Sequence, residues 1–346
     1  MKIFGTDQLA LIEAAALLEQ GKLVAFPTET VYGLGADAEN PSAVAAIYAA
    51  KGRPANHPVI VHLSAHADLE LWAQHIPHEA EKLIQAFWPG PLTLILKRSP
   101  HIPDAVSGGQ DSIGLRCPSH PVAQSLLQQF KKGQGGIAAP SANRFGHVSP
   151  TTAHHVMTEF AELQADTIAC LIDGGASEVG IESTIIDLSR MQTNGPALLR
   201  PGHITAEQIS LVLGRELTAA DQSAPRVSGA LDAHYAPRTP VVLIKQHELQ
   251  QVIDKLDANQ QSFVLMTCGS GQLNLSTSAL MTHQLPSDAK AYAHGLYAGL
   301  RLLDEKKAQV MLVELPPQDE AWRGVNDRLR RAAFDSLDIL KKLKNN

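Results

Sequence analysis

The sequence has few aromatic side chains, no excess of basic residues and only three cysteines. Of its 346 residues, 5% are aromatic, which argues against a surface that binds single-stranded nucleic acid by stacking its bases. The formal net charge is −6, whereas a protein that binds along a phosphate backbone is usually basic. Direct, stable binding of nucleic acid is therefore not expected, although a local basic patch is compatible with this charge.

The cysteines and the hydrophobic runs exclude further classes of protein. The number of cysteines is odd, and the three lie far apart in the sequence, at Cys117, Cys170 and Cys268. They therefore form neither a disulfide framework nor a C-x-x-C zinc site. We expect reduced thiols in a cytoplasmic protein. No apolar run reaches the ~18 residues that span a bilayer, and the N-terminus lacks the pattern of a signal peptide. We therefore expect no membrane partner.

Well-known nucleotide and metal motifs are also missing. There is no P-loop, no G-x-G-x-x-G fingerprint and no H-E-x-x-H helix. His62 and His66 are four residues apart and would suit a metal if they shared a helix face, but His62 lies in a β-branched run that predicts a strand. The sequence therefore predicts no resident metal and no organic cofactor.

Strands and helices alternate along the chain, and this pattern predicts an α/β fold with a mixed sheet. Apolar runs predict strands at 23–26, 58–63, 112–116 and 136–139, whereas the Thr- and Gly-rich stretch 27–38 predicts a loop. A chain of 346 residues corresponds to about two domains at ~150 residues each.

A change of composition marks the boundary between the two predicted domains. Residues 214–240 are rich in Ala, Ser and Pro and show little periodicity, which is typical of an interdomain linker. After this stretch strands and helices resume, and the pattern ends with a helix near 325–344. The second domain is therefore expected to be a smaller α/β unit.

Polar residues follow the apolar strands at several places, and open α/β sheets bind ligands outside the carboxyl ends of their strands. The segments are FPTET after strand 23–26, KGRP where a helix ends, with Lys51 and Arg53, APSAN after strand 136–139, with Ser141 and Asn143, and GIESTIIDL at the mouth of strand 183–188, with Glu182, Ser183 and Thr184. Arg116 and Arg200 stand at two further strand ends, directly before proline. We expect these side chains to share one pocket.

The chemistry of these residues indicates anionic substrates. Lys51 offers a point charge to a phosphate, and Arg53 offers a bidentate fork. The turn from Ser141 to Asn143 offers a hydroxyl, an amide and backbone N–H groups, which together form an anion-binding nest. Each segment alone has an ordinary explanation: a solvated helix end for KGRP, an Asx turn for PSAN and surface exposure for the two arginines.

Taken in order, these segments resemble the YrdC-domain family. The motifs FPTETVYGLGADA, KGRP with PVIVH, FWPGPLTLIL, SIGLRCPSHP, GGIAAPSANRFGHVSPT, GIESTIIDL and LLRPG follow one another across roughly residues 8–207. HYAPRTP at 234–240 and GVNDRLRRAA at 324–333 are similar to the linker and C-terminal domain of the two-domain threonylcarbamoyl-AMP synthases in that family. The resemblance covers most of the chain.

The resemblance implies an architecture and an activity. It implies a twisted mixed sheet with a central cavity over 1–207, a linker over 208–240 that folds over the active site, and a smaller Rossmann-like α/β domain over 241–346. The implied activity forms L-threonylcarbamoyladenylate and pyrophosphate from L-threonine, bicarbonate or CO₂, and ATP with Mg²⁺. A downstream transfer machinery then uses the product for the N6-threonylcarbamoyl modification of adenosine 37 in tRNA.

The resemblance also implies which residues bind each substrate. The K-x-R and S-x-N signature, implied as catalytic and ATP-binding, falls on Lys51, Arg53, Ser141 and Asn143. Further implied ATP-binding positions are Ser112, Ser149, Arg200 and Tyr235. The implied threonine-binding positions are Thr30, His62, Arg116 and Ser183. The chain departs from the family at His57, where many members have Asn, and in its linker, which lacks the lysines that many members carry before HYAP.

Two other functions stay open from the sequence. A protein with the same cavity but without adenylating activity would bind RNA or serve ribosome maturation. A related carbamoyltransferase adenylates carbamoyl phosphate, but such proteins carry acylphosphatase and zinc-finger segments whose motifs are missing here. Pyrophosphate release that depends on threonine separates the synthase from both alternatives.

Overall fold

The chain divides into two compact units in the computed structural model, which describes residues 1–164, 166–269, 273–275, 278–336 and 338–339. The first unit contains Met1–Phe145 and Ser149–Ala230. The second contains Gly146–Val148 and the chain from Leu231 onward. The chain thus leaves the first unit inside the predicted linker 208–240.

Strands and helices alternate in the first unit. Its strands are β1 (Lys2–Phe4), β2 (Val24–Phe26), β3 (Gly33–Asp37), β4 (Ile60–His62), β5 (Ala73–Gln74), β6 (Leu92–Arg98), β7 (Ser112–Arg116), β8 (Ile137–Ala138), β9 (Cys170–Ile172), β10 (Thr184–Asp187), β11 (Ala197–Arg200) and β12 (Thr218–Ala219). Its helices are α1 (Gln8–Glu19), α2 (Pro41–Lys51), α3 (His78–Phe87), α4 (Asp104–Ser107), α5 (Pro121–Gln129), α6 (Ala153–Glu159) and α7 (Ala206–Leu213). Short 3₁₀ turns lie at Leu69–Leu71 and Phe130–Gly133.

The strands of the first unit form one mixed sheet. Over the described residues the strand order is β1-β9-β2-β3-β8-β4-β7-β6-β10-β11-β12, and β5 pairs with β6. Strands β4 and β7 run parallel, as do β6 and β10, whereas β2, β3 and β8 are antiparallel neighbours. The predicted mixed α/β fold is therefore confirmed.

Apolar side chains attach the helices to this sheet. Leu11 and Leu18 of α1, Leu126 of α5 and Phe26 of β2 belong to one buried cluster. A larger cluster includes Ile47 of α2 together with residues of the central strands. Burial of this kind contributes roughly 1.5–3 kcal/mol to the stability of the fold for each large side chain. The packed sheet therefore holds the polar residues at its strand ends in fixed positions.

The prediction of a loop throughout 27–38 is wrong, because Gly33–Asp37 forms β3, a buried strand between β2 and β8. Two glycines conceal this strand from a hydrophobic pattern. They are required for packing: a Cβ atom on Gly35 would lie 2.8 Å from both Ile137 Cγ2 and Phe26 Cε1. Only a residue without a side chain fits this close approach.

Helix α2 ends where the KGRP motif begins, and its end is set by local signals. Asn40 caps its first turn through Oδ1, which accepts hydrogen bonds from the backbone N–H groups of Ser42 and Ala43. The helix stops at Gly52, which has a φ of 63° in the left-handed region that glycine adopts without strain. Lys51 is thus the last helical residue, and the chain turns sharply before Arg53.

The predicted linker 208–240 is not one irregular segment. Its first residues belong to α7, which continues to Leu213. The helix then ends at Gly214, which has a φ of 68°. The linker segment then forms β12 and continues on the first unit as far as Ala230, and the remaining residues belong to the second unit. The short segment Gly146–Val148 joins the second unit because Ala236 N donates a hydrogen bond of 2.9 Å to Gly146 O.

The second unit is a smaller α/β unit with a parallel sheet. Its elements are β13 (Val241–Ile244), α8 (Gln246–Ala258), β14 (Phe263–Cys268), β15 (Ala279–Leu285), α9 (Ala289–Asp304), β16 (Val310–Glu314) and α10 (Arg323–Ala332), with 3₁₀ turns at Glu320–Trp322 and Phe334–Ser336. The strand order over the described residues is β13-β16-β14-β15. The predicted closing helix, 325–344, is shorter than expected, and its positions 337 and 340–344 lie outside the described residues.

None of the helices in the described part of the chain is both long and apolar enough to cross a bilayer. The cytoplasmic location stays a prediction from cysteine usage.

Candidate active site

Lys51 connects the end of α2 to the PSAN turn. Its ammonium group donates hydrogen bonds to the backbone carbonyls of Ser141, at 2.6 Å, and of Asn143. Burial, together with the positive charge of Arg53, holds the pKa of the Lys51 ammonium well below its usual range. The lysine and the serine, predicted from distant motifs, therefore meet in the fold. The alternative of a solvated helix end is wrong, because Lys51 is 3% exposed.

Arg53 turns into the interior next to Lys51. Its Nη2 donates to Pro58 O at 2.7 Å and to Ser228 Oγ at 3.4 Å, and its guanidinium lies 5.7 Å from the centre of the Phe145 ring. His57 meets the same phenyl ring edge-on, with the ring centres 5.4 Å apart. Burial and the charge of Arg53 lower the pKa of His57, so its imidazole adds no positive charge near neutral pH.

Arg200 forms a fork between β10 and the segment that follows β12. Its Nε and Nη2 donate to Ser183 O at 3.1 and 2.9 Å, Nη2 also donates to Ser183 Oγ at 3.1 Å, and Nη1 donates to Ser228 O at 2.8 Å. The Ser183 hydroxyl also lies 2.7 Å from the hydroxyl of Thr93 on β6. Since Arg53 and Arg200 both contact Ser228, the two guanidinium groups are neighbours.

A buried carboxylate lies beside these cations. Ser149 Oγ donates a hydrogen bond of 2.5 Å to Glu182 Oε1, and both residues are buried. The negative charge of Glu182 acts on Lys51 and partly opposes the lowering of its pKa. Ser149, Glu182 and Lys51 therefore belong to the same site.

Arg116 forms a buried ion pair with Glu29, a residue of the PTET motif. Arg116 Nη2 lies 2.8 Å from Glu29 Oε1, and the side chains are 5% and 3% exposed. His62 at the end of β4 is the register partner of Arg116 at the end of β7, so the two side chains project from the same face of the sheet. Burial and the charge of Arg116 lower the pKa of His62 to about 3.

The PTET motif is held rigid by its own hydroxyl groups. Thr28 Oγ1 donates to Val31 O at 2.6 Å and lies 2.9 Å from Thr30 Oγ1. Tyr32 O accepts a hydrogen bond of 2.8 Å from Ala142 N, which brings the motif beside the PSAN turn. The segment that contains Thr30 and the PSAN turn are therefore neighbours in the fold.

A shallow pocket extends the site over the sheet, and residues 226–228 of the predicted linker line it together with Ser112. Val227 is buried against Ile95 and Ile185 at this place. Gln110 Nε2 donates to Arg226 O at 3.1 Å, and Arg226 N donates to Gln110 Oε1 at 2.7 Å. The segment thus rests on the predicted ATP-binding side of the first unit.

All the predicted site residues except one lie in the first unit. Tyr235 belongs to the second unit, where its ring stacks on Tyr297 at 5.7 Å and the Arg328 guanidinium lies 5.4 Å from its centre. Its backbone has a φ of 62°, an uncommon conformation for a bulky residue. Its role toward ATP stays a prediction.

Sequence reasoning missed Glu29 and Thr93. Glu29 lies inside the PTET motif. Its position between two threonines, shortly after a buried strand, is the sequence feature that could have identified it as a site residue. Thr93 carries no signal in the sequence, because one threonine inside an apolar strand is ordinary. The alternative of surface arginines is wrong, because Arg116 and Arg200 are 4% and 2% exposed.

The site can neutralise and position anions, since three buried cations from distant segments, Lys51, Arg53 and Arg200, converge around the 141–143 turn, Ser183 and Ser228. Among the described residues, no group of three or more His, Cys, Asp or Glu side chains is placed to hold a metal ion. His62 and His66 therefore do not extend into such a cluster.

Two family models match the chain. The Sua5/YciO/YrdC model, described as Telomere recombination, matches residues 16–202, and the model of the Threonylcarbamoyl-AMP synthase C-terminal domain matches residues 204–334.

Individual relatives are similar over nearly the whole length. Threonylcarbamoyl-AMP synthase of Pyrococcus abyssi is 38% identical over 329 residues, which cover 92% of this chain and 93% of that protein. The enzyme of the same name from Bacillus subtilis is 37% identical over 343 residues and covers 95% of both chains. The crystal structure of P. abyssi Sua5 complexed with L-threonine matches with a TM-score of 0.87 at 36% identity, over 96% of this chain and 98% of that chain.

Proposed function

This chain belongs to the threonylcarbamoyl-AMP synthase family, and on this premise we propose that it condenses L-threonine, bicarbonate or CO₂, and ATP into L-threonylcarbamoyladenylate. Pyrophosphate is the second product. The adenylate then passes to a transfer machinery that modifies adenosine 37 of tRNA. The support is the family membership together with a site whose cations suit two anionic reactants.

The chemistry requires two anions to meet. The unprotonated amine of threonine attacks the carbon of CO₂, an N–C bond forms, and loss of one proton from the nitrogen to water gives the carbamate. With bicarbonate, one water molecule leaves instead of the proton. A carbamate oxygen then attacks the α-phosphorus of ATP, and the bond to the pyrophosphate oxygen breaks. Because the attacking group and the phosphate are both negative, the protein contributes charge neutralisation and positioning rather than a covalent nucleophile.

On the nucleotide side, Arg53 and Arg200 bind the phosphates of ATP, which enters as its Mg²⁺ complex. Lys51 holds the turn of Ser141 and Asn143 through two backbone carbonyls, so it shapes the phosphate nest as well as adding charge. Ser149 is fixed by its hydrogen bond to Glu182. Ser112 lines a shallow pocket together with Ser228, the residue that both arginines contact, and we assign this face of the sheet to the remainder of the nucleotide.

On the threonine side, Arg116 binds the carboxylate, while Thr30 and Ser183 contact the other polar atoms. His62 is neutral in the folded protein at working pH, because its pKa is lowered to about 3. It therefore orients threonine as a hydrogen-bonding group and is not a cation.

The observation that supports this function most is the burial of Lys51, Arg53 and Arg200 around one turn and one serine. The test is pyrophosphate release from ATP with L-threonine and bicarbonate, with mass-spectrometric detection of the adenylate. We expect Arg53→Ala to lower the rate more than tenfold, on the scale of ~2.7–4 kcal/mol seen when an oriented charge-stabilising donor is removed. Arg215→Ala, at an exposed arginine, is the matched control.

The same assay separates the competing functions. Omitting threonine should abolish pyrophosphate release, and addition of carbamoyl phosphate in place of threonine should not restore the release. Release that depends on carbamoyl phosphate would identify a carbamoyltransferase. Steeply salt-dependent RNA binding without any turnover would identify an RNA-binding module. Normal turnover in Arg53→Ala would remove that residue from the site.

A further inference from the structure

The Glu29–Arg116 pair has an incomplete set of partners. Glu29 is 2% exposed, and its Oε2 accepts no hydrogen bond from any described residue. Oε1 lies 2.8 Å from Arg116 Nη2, but the two atoms are not aligned for a hydrogen bond. A buried carboxylate oxygen without a donor is costly, so the fold retains it at the expense of stability.

Neither His120 nor Cys117, which lie near Glu29, supplies a second cation to complete the pair. Val179 N donates to the backbone carbonyl of Glu29 at 2.7 Å, which fixes the position of its chain but not the charge of its side chain. The pKa of nearby His120 is lowered by burial, although the charge of Glu29 opposes this effect, and the pKa of Cys117 is raised to about 11. Both groups are therefore neutral near pH 7.

The pair has one positive and one negative group, and it lies in the predicted threonine half of the site. An α-amino acid presents the complementary arrangement, with a carboxylate and an ammonium group attached to the same carbon atom. We propose that Glu29 Oε2 binds the α-ammonium group of threonine while Arg116 binds its carboxylate. This inference rests on the proposed function and assigns Glu29 as the residue that selects substrates with a free amino group.

The pairing has a physical advantage over an isolated arginine. An unpaired buried Arg116 would bind any small carboxylate, including acetate-like anions that cannot form a carbamate. With Glu29 beside it, a carboxylate without an ammonium group leaves Oε2 unpaired and adds repulsion between two negative groups. The proposed pair therefore discriminates through a cost imposed on the wrong ligand.

The test compares two ligands on two proteins by isothermal titration calorimetry. The ligands are L-threonine and 2,3-dihydroxybutanoate of matching stereochemistry, which has a hydroxyl group in place of the ammonium group. The wild type should bind threonine at least about a hundredfold more tightly than the analogue. In Glu29→Gln, binding of threonine should weaken at least about tenfold, while binding of the analogue should stay the same or tighten because the repulsion from Glu29 is removed, so the discrimination collapses. Glu178→Gln, at an exposed glutamate that acts on the same His120, is the matched control.

Each result has one meaning. If Glu29→Gln weakens the binding of both ligands by the same factor, Glu29 acts only by holding Arg116 in place, and the inference is overturned. Equal binding of the two ligands by the wild type overturns it without any variant, even where Glu29→Gln does not fold. If the wild type binds threonine and forms the adenylate but the discrimination is unchanged in Glu29→Gln, only this inference fails. If the wild type neither binds threonine nor releases pyrophosphate, the proposed function itself fails.

Discussion

Replacing His62 by glutamine should make the protein less sensitive to acid. His62 is buried, and burial together with the charge of Arg116 lowers its pKa to about 3. A histidine in the unfolded chain titrates near ~6.5. As the pH falls below that value, the unfolded state binds a proton that the folded state does not bind until about pH 3. Unfolding is therefore increasingly favoured across this window.

Proton linkage gives the magnitude of the effect. Each pH unit inside the window lowers the free energy of unfolding by ~1.4 kcal/mol for one group. Between pH 7 and pH 5 about 1.5 units of the window are crossed, so His62 should account for a loss of ~2 kcal/mol. The glutamine variant has no imidazole at this position. Its free energy of unfolding should therefore fall by ~2 kcal/mol less than that of the wild type between pH 7 and pH 5. The pKa of His120 is also lowered by burial, but His120 is present in both proteins and its effect cancels in the comparison.

The measurement is urea unfolding at pH 7 and pH 5, followed by the fluorescence of Trp72 and Trp88 in the first unit. The quantity compared is the change in the free energy of unfolding between the two pH values, because the substitution itself alters stability at both. His154→Gln, at an exposed histidine of α6, is the control and should behave as the wild type. If the free energy of unfolding falls by the same amount between pH 7 and pH 5 in the wild type and in His62→Gln, the fold does not keep the buried imidazole neutral.

The remaining predictions concern packing and the arginine fork. Gly35→Ala should lower the free energy of unfolding by about 1–3 kcal/mol in urea titrations, because its Cβ would overpack Ile137 and Phe26. Gly33→Ala, whose nearest contact would be 3.2 Å, should cost clearly less, and equal costs would contradict the packing argument. Arg200→Lys should raise KM for ATP and speed hydrogen exchange at residues 226–229, because one ammonium group cannot reproduce the fork to Ser183 and Ser228. Protection equal to the wild type would contradict the fork's role, and Arg215→Lys should change neither quantity.

The sequence was sufficient for the features that depend on local pattern. Apolar runs placed most strands of the first unit correctly, and Lys51 and Ser141 could be assigned to one pocket because both follow regular elements of an α/β fold. The strand Gly33–Asp37 was missed, since GLGAD has two glycines and no alternation of apolar and polar residues. Its place is determined by the backbones of β2 and β8, which approach it closely, and such contacts leave no local signal.

Features that depend on contacts between distant segments were not predictable in the same way. The Glu29–Arg116 pair joins two motifs that were each recognised, yet nothing in either motif specifies the other as its partner. Gly146–Val148 joins the second unit through a bridge between His147 and Ala236, although the chain on both sides of it belongs to the first. The change of composition at 214 marks the end of α7 at Leu213 correctly, whereas the linker boundary at 208 falls inside that helix.

The two halves of the site differ in charge, and the difference follows the chemistry of the two substrates. Glu29 cancels the charge of Arg116, so the half proposed for threonine is close to neutral and suits a zwitterion. In the other half, Lys51, Arg53 and Arg200 carry three positive charges, and Glu159 and Glu182 act on Lys51 with negative charge, so the remaining excess of positive charge suits a triphosphate. A uniformly positive hollow, as the sequence alone suggests, would attract a second anionic molecule to the amino acid subsite. In the binding mode proposed above, the buried Glu29 repels such an anion, which gives this carboxylate a role distinct from that of Glu182.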